Sequence, residues 1–530
     1  MGGGSEQAAA AMADGGNGQG LPSALEHVYG LCAIRAAVLT ASTTGCPSSC
    51  INCSQNRAGR DSREAVMDER LRHDALRGHI LFYSVDRNQF SIGQGGFHST
   101  VVHAGSARFS VVVDCGGGSL KTRKPLIETF TGGVPTQHDI LAISHLDLDH
   151  IDGVPELTQT AQFRYVFLPH VDEHAYARWM TTRLAFEVEE DAEAGSIVRS
   201  IDIVTGLYDG RYGHPVIVRD AGPVEPGGAR DDRDAANPLM PDALRKLLDG
   251  AAAVLPSTTS IGLVDIDWAF RFYSYEWTCP AQLEKIWMHP FFDDLKDAIA
   301  ALVDDPGRSG VAQAMKDRLE DKIPAEQASG AIFTLTGKET VVESAISVKC
   351  LLGQVYRRLP GLTDYNDASM CVYSGPVQSG TNRPVKWFSR HVQTTADGAA
   401  WAREKGIRST RSVGWIHTGD LNLDDDTKLE KFLGHYEAEL RTVSVLVLPH
   451  HGSVRSYGRD LGRLDALART LDDRPLFLAP ALPTGRYKHP DDSVMTQCRT
   501  SGFAHIVDDK RATLFQESVR CGYPYIVIFD

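Results

Sequence analysis

The chain has 530 residues, a formal net charge of −14 and a hydrophobic fraction of 42%. This length exceeds one ordinary core, so we expect one elaborated domain or a domain with a substantial insertion. The acidic charge argues against a surface that grips nucleic acid everywhere, but not against a local basic patch. No apolar run reaches the roughly 18 residues that span a bilayer, so we expect no membrane partner.

The N-terminal part predicts two segments ahead of the core. Residues 1–22 are rich in Gly and Ala without periodicity, which is typical of a disordered tail. Residues 23–76 form an extension that contains Cys46, Cys50 and Cys53. Their spacing resembles the iron-sulfur signature of radical enzymes that use S-adenosylmethionine, but the repeated strand-helix units of such enzymes do not follow; free thiols and a structural metal are the alternatives. Because no secretory signal is recognised, we expect reduced cysteines and a cytoplasmic location.

The first half of the core is expected over 77–170, with strands at 80–85, 109–114 and 139–144. The last of these strands leads into the sequence ISHLDLDHIDG at 143–153. Four metal-capable side chains stand within six positions of this run: His145, Asp147, Asp149 and His150. Imidazole suits zinc, carboxylate tolerates harder ions such as manganese, and a mixture can hold two cations that share a water. A polar loop satisfied by hydrogen bonds is the alternative, and the density of ligands favours half of a two-metal hydrolytic site.

The second half of the core, expected over 346–530, carries three further motifs beside apolar runs. They are WIHTGD at 415–420, VLVLPHHGS at 445–453 and YKHP at 487–490. If His450 and His451 continue the strand before them, their side chains point to opposite faces, so one of the two is expected to be a ligand.

Taken together and in this order, the motifs resemble the metallo-β-lactamase superfamily. Its HxHxDH signature is matched at His145, Asp149 and His150, whereas Asp147 stands where the family usually has a second His. That departure is similar to the HxDxDH form of ComEC-type DNA-uptake proteins and their soluble relatives. Four other segments are similar to motifs of that group: SIGQGG at 91–96, the Gly-rich turn after Asp114, and the PHHGS and YKHP motifs.

The resemblance implies an α/β fold, a four-layer αββα sandwich with an N-terminal extension and a large mixed insertion at 171–345. It implies two divalent metal ions, Zn²⁺ or Mn²⁺. Their ligands would be His145, Asp147, Asp149, His150, a bridging Asp420, and a late His from among His450, His451 and His489. We favour His450 over His451 by resemblance. Asn366 falls where other members place a further His, and such an oxygen-rich site shifts the preference toward manganese.

The expected function is hydrolysis of a phosphodiester, with nucleic acid as substrate, by a water that two metal ions activate. Asp149 would orient that water, and Ser453 and Arg455 are candidates for holding a phosphate or an oxyanion. A basic strip with interleaved aromatic residues supports a nucleic acid substrate. Its members are Arg383, Lys386, Trp387, Phe388, Arg390, Trp401, Arg403, Lys405, Arg408 and Arg411.

Two other functions remain open from the sequence. One is hydrolysis of a small-molecule ester or lactam, which the acidic net charge mildly favours. The other is a partner-gated or non-catalytic effector, in which the insertion binds a regulatory protein. The sequence leaves the oligomeric state open.

Overall fold

The computed structural model describes residues 83–170, 194–219, 239–240, 253–275, 320–355, 369–377, 387–393 and 412–522, excluding 209, 258, 265, 349, 352–353, 459, 473 and 486. The expected tail, the extension with Cys46, Cys50 and Cys53, and Asn366 lie outside the described residues. Within the described ranges, no helix combines the length and apolar character needed to cross a membrane.

The first sheet has nine strands among the described residues. In order across the sheet these are β13 (Trp387–Gln393), β18 (Phe515–Gly522), β1 (Tyr83–Gln89), β2 (His98–Ala104), β3 (Ala107–Val113), β4 (Thr136–Ala142), β5 (Ala161–Pro169), β6 (His214–Arg219) and β7 (Ala253–Pro256). The strands from β13 to β3 pair antiparallel, and those from β3 to β7 pair parallel. Burial alternates along β1, as expected for a pleated strand.

The second sheet has seven strands in the described part of the chain. In order these are β17 (Phe503–Val507), β16 (Leu476–Pro480), β15 (Val443–Val447), β14 (Gly414–His417), β12 (Met370–Pro376), β9 (Trp268–Ser274) and β8 (Ser260–Gly262). The strands from β14 to β17 are parallel, and all residues of β14, β15 and β16 are buried, which is typical of parallel strands covered on both faces. A separate pair is formed by β10 (Lys322–Ile323) and β11 (Ile346–Ser347).

Helices cover the outer face of each sheet. Against the first sheet lie α1 (Leu120–Thr131), α2 (Leu148–Ile151), α3 (Val154–Thr158), α4 (Ala194–Tyr208) and α5 (Ala325–Thr336). Against the second sheet lie α6 (Asp426–His435), α7 (Glu437–Leu440), α8 (Gly462–Thr470) and α9 (Asp492–Ser501). Short 3₁₀ turns occupy Pro449–Gly452, Val454–Ser456 and Arg511–Thr513.

Three layers of apolar contact define the architecture. Between the sheets, Phe109 and Tyr165 of the first sheet share a buried cluster with Phe270 and Val372 of the second. Outside the first sheet, strand residues pack on helices through Val112, Val166, Ile127, Ile203 and Ile332. Outside the second sheet, the equivalent contacts involve Ile416, Leu446, Phe432, Leu464 and Val494. The protein is therefore an α/β, four-layer αββα sandwich, as the sequence motifs predicted.

The segment expected to be an insertion contributes directly to both sheets. Strands β6 and β7 extend the parallel part of the first sheet, and β8 and β9 extend the second sheet beyond β12. Helix α4 buries Ile203 and Val204 against the first sheet. The described parts of residues 171–345 are therefore built into the sandwich itself.

Candidate metal centre

The candidate centre lies where parallel strands of both sheets end. The carboxyl ends of β3 and β4 lead into the Asp114 turn and the 143–153 run, and those of β14, β15 and β16 lead into the TGD, PHHG and YKHP loops. Loops that leave neighbouring parallel strands converge at one edge, which is where α/β proteins place ligands. The two sheets meet directly here, because the Met370 N–H donates to the Ser144 carbonyl at 2.7 Å.

The ligand-bearing run is fixed by its backbone. The His150 carbonyl accepts from the Cys115 N–H at 2.9 Å, and the Asp149 carbonyl accepts from the Gly96 N–H at 3.0 Å. A Cβ added to Gly96 would lie 2.6 Å from Asp114 Oδ2, and one added to Gly116 would lie 2.5 Å from the His150 backbone N. Because neither position has a Cβ, the loops that carry Gly96, Gly116 and His150 approach one another more closely than any side chain would allow.

Arginine side chains hold the far end of the same run. The two oxygens of Asp152 each bind an arginine at 2.6 Å: Oδ1 binds Arg199 on α4, and Oδ2 binds Arg123 on α1. Arg123 also donates to the carbonyls of Gly117 and Gly118. The run is thereby tied to the Gly-rich turn and to a helix from the segment expected to be an insertion.

Asp114 is a functional residue that we noted from sequence only as part of a turn. It is fully buried and has φ of 57°, a conformation that is uncommon for a non-glycine residue. Its carboxylate accepts from the Ser144 backbone N–H at 2.6 Å, the Ser144 hydroxyl at 2.7 Å and His150 Nδ1 at 2.8 Å. The signal in the sequence was a carboxylate at the end of an apolar strand, directly before CGGG.

The Nδ1 contacts of three histidines direct their Nε2 atoms into the centre. His150 Nδ1 donates to Asp114, and His451 Nδ1 donates to the Pro480 carbonyl at 2.8 Å. Because the Ser144 hydroxyl donates to Asp114, it accepts from His145 Nδ1 at 3.0 Å. Hydrogen bonding of one ring nitrogen to a fixed acceptor is the usual way in which proteins orient metal-binding histidines.

Asp420 faces histidines with both of its oxygens. Oδ1 lies 3.4 Å from His150 Nε2 and 3.6 Å from His451 Nε2. Oδ2 lies 3.6 Å from His145 Nε2 and 3.9 Å from His450 Nε2. Asp149 joins the histidines around Oδ1, because its Oδ2 lies 3.2 Å from His451 Nε2. Asp147 joins the histidines around Oδ2 of Asp420, because its own Oδ2 lies 3.9 Å from His145 Nε2.

The residues present fit divalent cations. Ligand atoms of His145, Asp149 and His150 all lie within 4.8 Å of one another, and so do those of His150, Asp420 and His451. Among the described residues, His145 Nε2, His150 Nε2 and Asp420 Oδ1 are buried without a hydrogen-bond partner. With Nδ1 protonated, each neutral imidazole presents the Nε2 lone pair toward carboxylate oxygens. Buried lone pairs that face one another are costly unless a cation or proton lies between them.

The electrostatics of the centre favour a cation. Although burial opposes its charge, the histidines around Asp420, led by His451 and His450, hold its pKa well below the ordinary value. Burial also opposes charge on His150, but Asp114 and Asp420 raise its pKa well above the ordinary value. Beneath the centre, burial lowers the pKa of His417 to about 4, and its Nδ1 accepts from the Gly419 N–H at 3.3 Å. Positive charge is thus stabilised between the carboxylates.

The PHHG turn brings both neighbouring histidines toward Asp420. His450 and His451 do not continue β15; they have φ of 47° and 55° and lie in a left-handed turn. They therefore reach different oxygens of one carboxylate. His451, not the favoured His450, is the member of the tight three-residue group, and its side chain is 2% exposed against 26% for His450.

Other expected site residues lie at the margin. His489 is in neither tight group, and its ring centroid lies 5.5 Å from that of His450. Ser453 is buried, and its hydroxyl accepts from the Arg455 backbone N–H at 3.4 Å, so it caps a turn. The Arg455 side chain is exposed.

One member of the basic strip is removed from the surface. Arg390 is buried between the sheets, where its Nε lies 2.5 Å from Glu517 Oε1 and its Nη2 donates to the Ser444 hydroxyl. The side chains of the remaining members of the strip lie outside the described residues. Arg390 therefore does not contact a nucleic acid.

Comparisons with known proteins add little to this geometry. No protein-family model matches the chain, and no curated protein matches it. The crystal structure of the metallo-β-lactamase fold protein YhfI from Bacillus subtilis is similar at 8% sequence identity with a TM-score of 0.30, over 82% of this chain and 99% of that chain. That likeness is too low to carry an argument, so the fold rests on the layers and strand order described above.

Proposed function

We propose that this protein is a two-metal hydrolase of phosphodiesters, with nucleic acid as its substrate class. The observation that carries the proposal is the division of the two Asp420 oxygens between two sets of histidines. A carboxylate placed in this way can bridge two cations, which is the arrangement used for in-line displacement at phosphorus.

The chain offers one donor set for each cation. Asp149, His150, His451 and Asp420 Oδ1 would hold the first. His145, Asp147, His450 and Asp420 Oδ2 would hold the second. Asp147 adds oxygen where a histidine would add nitrogen, so we propose that manganese is accepted alongside zinc.

When bound, divalent cations supply Lewis-acid activation of water and neutralise charge on the attacked phosphoryl group. Asp149 is the carboxylate best placed to orient the attacking water by accepting a hydrogen bond from it. Its side chain is 31% exposed, whereas those of Asp147 and Asp420 are 17% and 5% exposed. The contact between Asp149 Oδ2 and His451 fixes the orientation of the carboxylate.

Exposed cationic side chains support an anionic substrate. Arg455 follows the PHHGS motif, and Lys488 stands immediately before His489. Both belong to loops that flank the histidines nearest to solvent. Their guanidinium and ammonium groups are suited to contact phosphate oxygens, despite the acidic charge of the chain as a whole.

The test is an incubation of the purified protein with Mn²⁺ or Zn²⁺ and with single-stranded DNA, duplex DNA, RNA or a generic phosphodiester. Asp149→Asn is the variant, and Asp426→Asn, at an aspartate whose side chain is 83% exposed, is the matched control. We expect metal-dependent cleavage of a polymer by the wild type and the control, and loss of cleavage in Asp149→Asn. Turnover of the generic phosphodiester alone would overturn the nucleic acid substrate in favour of a small-molecule hydrolase. Inactivity with metal bound would favour a partner-gated effector.

A further inference from the structure

An exposed aromatic side chain stands on the loop between β16 and α9. Tyr487 is 61% exposed, although burial of a ring this large would stabilise the fold. Among the described Phe, Tyr and Trp side chains, Phe333 on α5 is the other strongly exposed one, at 52%. Tyr487 differs from Phe333 in its surroundings, because its loop also carries His489.

The loop that carries Tyr487 is held by its own backbone. The Gly485 N–H donates to the Leu482 carbonyl at 2.8 Å, and the Lys488 N–H donates to the Gly485 carbonyl at 3.3 Å. At the end of the loop, Asp491 is tied to the PHHGS segment. Its N–H donates to the Gly452 carbonyl at 3.1 Å, and its Oδ2 accepts from the Val454 N–H at 2.8 Å. The backbone that follows Tyr487 is therefore fixed relative to the histidine turn.

A row of rings connects Tyr487 with the centre. The Tyr487 and His489 rings are parallel to within 8°, with centroids 6.3 Å apart. The His489 ring lies 5.5 Å from the His450 ring, and His450 Nε2 lies 3.9 Å from Asp420 Oδ2. A flat group that stacks on Tyr487 is thus parallel to His489, in a row of rings that ends at the carboxylate shared by both donor sets.

The chemistry of this row suits a nucleobase next to a phosphate. Bases stack on aromatic faces without sequence preference, because every base presents a π-face. The exposed Lys488 places a positive charge beside the same ring, where a phosphodiester backbone carries negative charge.

We propose that Tyr487 is a specificity-determining residue that stacks on a nucleobase flanking the scissile phosphodiester. This inference rests on the proposed phosphodiesterase function and deepens it. The substrate class that it selects is a base-bearing nucleic acid strand, in preference to other phosphodiesters of equal charge.

The test compares two single strands of equal length and charge, an oligothymidylate and an abasic oligonucleotide. The variants are Tyr487→Ala and Tyr487→Phe, with Phe333→Ala as the matched exposed-aromatic control. We expect Tyr487→Ala to raise KM for the oligothymidylate by about 5- to 100-fold with little change in kcat, since stacking contributes mainly to binding. KM for the abasic strand should not change, and Tyr487→Phe should stay within about twofold of the wild type because the π-face remains.

Three outcomes would overturn the inference, and they are distinguishable. If the wild type cleaves both strands equally well, the stacking subsite is wrong and the phosphodiesterase function stands. If Tyr487→Ala raises KM for both strands to the same degree, Tyr487 stabilises the loop and does not stack on a base. If the wild type cleaves neither of these strands, nor RNA nor duplex DNA, the proposed function itself fails, and this inference with it. Thermal unfolding of each variant checks that the exposed substitution leaves the fold unchanged.

Discussion

Oδ2 of Asp114 lies 2.8 Å from Nδ1 of His150, and both side chains are buried. Through this contact, a carboxylate outside the metal-binding motifs sets the direction of a histidine at their centre. The same carboxylate also binds Ser144, which in turn contacts His145 Nδ1. One aspartate therefore orients two histidines that face Asp420.

We expect Asp114→Asn to lower the affinity for divalent cations by about 10- to 100-fold, the usual cost of changing a group that orients a metal ligand. The amide keeps the shape of the carboxylate but loses its charge and one acceptor. Competition titration against a chromophoric chelator measures the effect. Asp139→Asn is the matched control, because Asp139, in the middle of β4, accepts from Ser110 and not from a histidine of the centre. Equal affinities in Asp114→Asn and in the wild type would refute this role.

Gly96→Ala should lower the free energy of unfolding by about 1–3 kcal/mol, the typical cost of overpacking. The new methyl group would lie 2.6 Å from Asp114 Oδ2 and 2.9 Å from His150 Nδ1. Gly330→Ala is the control: nothing lies within 4 Å of its Cβ on α5, and removing a helical glycine should stabilise by about 1 kcal/mol. Urea unfolding of both variants gives the comparison. A Gly96→Ala protein as stable as the wild type would show that the loops can separate.

Stability of the metal-free protein should fall as pH rises through the pKa values of His150 and His451. Burial opposes the charge of both rings, but Asp114 and Asp420 raise the pKa of His150, and Asp420 raises that of His451. A raised folded-state pKa contributes stability that is fully present below the unfolded value of about 6.5 and is lost above the folded value. A cation replaces those protons, so Mn²⁺ should increase Tm more at about pH 8.5 than at about pH 6. The same increase at both pH values would contradict this linkage.

Glu517→Gln should destabilise the protein by about 3–5 kcal/mol, because it leaves buried guanidinium groups without their counter-charge. Glu517 contacts Arg87 at 3.2 Å and Arg390 at 2.5 Å, and it accepts from Trp415 Nε1 at 2.6 Å. Removing an exposed charge by Asp426→Asn should change stability by less than about 1 kcal/mol. Chemical unfolding distinguishes the two variants, and similar losses in both would show that the buried cluster contributes little.

The sequence predicted those parts of the fold that depend on local patterns. The apolar runs before the His145 run and before PHHGS correspond to β4 and β15, and the run before Asp420 corresponds to β14. The first strand was expected at 80–85 and is observed at Tyr83–Gln89. The roles of strands β6 to β9 were not predicted, because sheet membership depends on partners far away in the chain.

The parts of the site that the sequence did not predict depend on long-range contacts. The role of Asp114 requires Ser144 and His150, 30 and 36 residues further along the chain. Burial of Arg390 requires β13 to pair with β18, more than a hundred residues away. Strand alternation suggested that one of the two adjacent histidines turns away, but the left-handed turn at His450 and His451 brings both toward Asp420.

The most direct test of the shared-carboxylate centre is the metal content per chain, measured by plasma mass spectrometry after loading with Mn²⁺ or Zn²⁺ and desalting. We predict two equivalents for the wild type, one for His145→Ala, and none held tightly by Asp420→Ala, since Asp420 belongs to both donor sets. Asp426→Asn should retain both equivalents. Two equivalents in Asp420→Ala, or none in the wild type, would contradict a centre in which Asp420 bridges two cations.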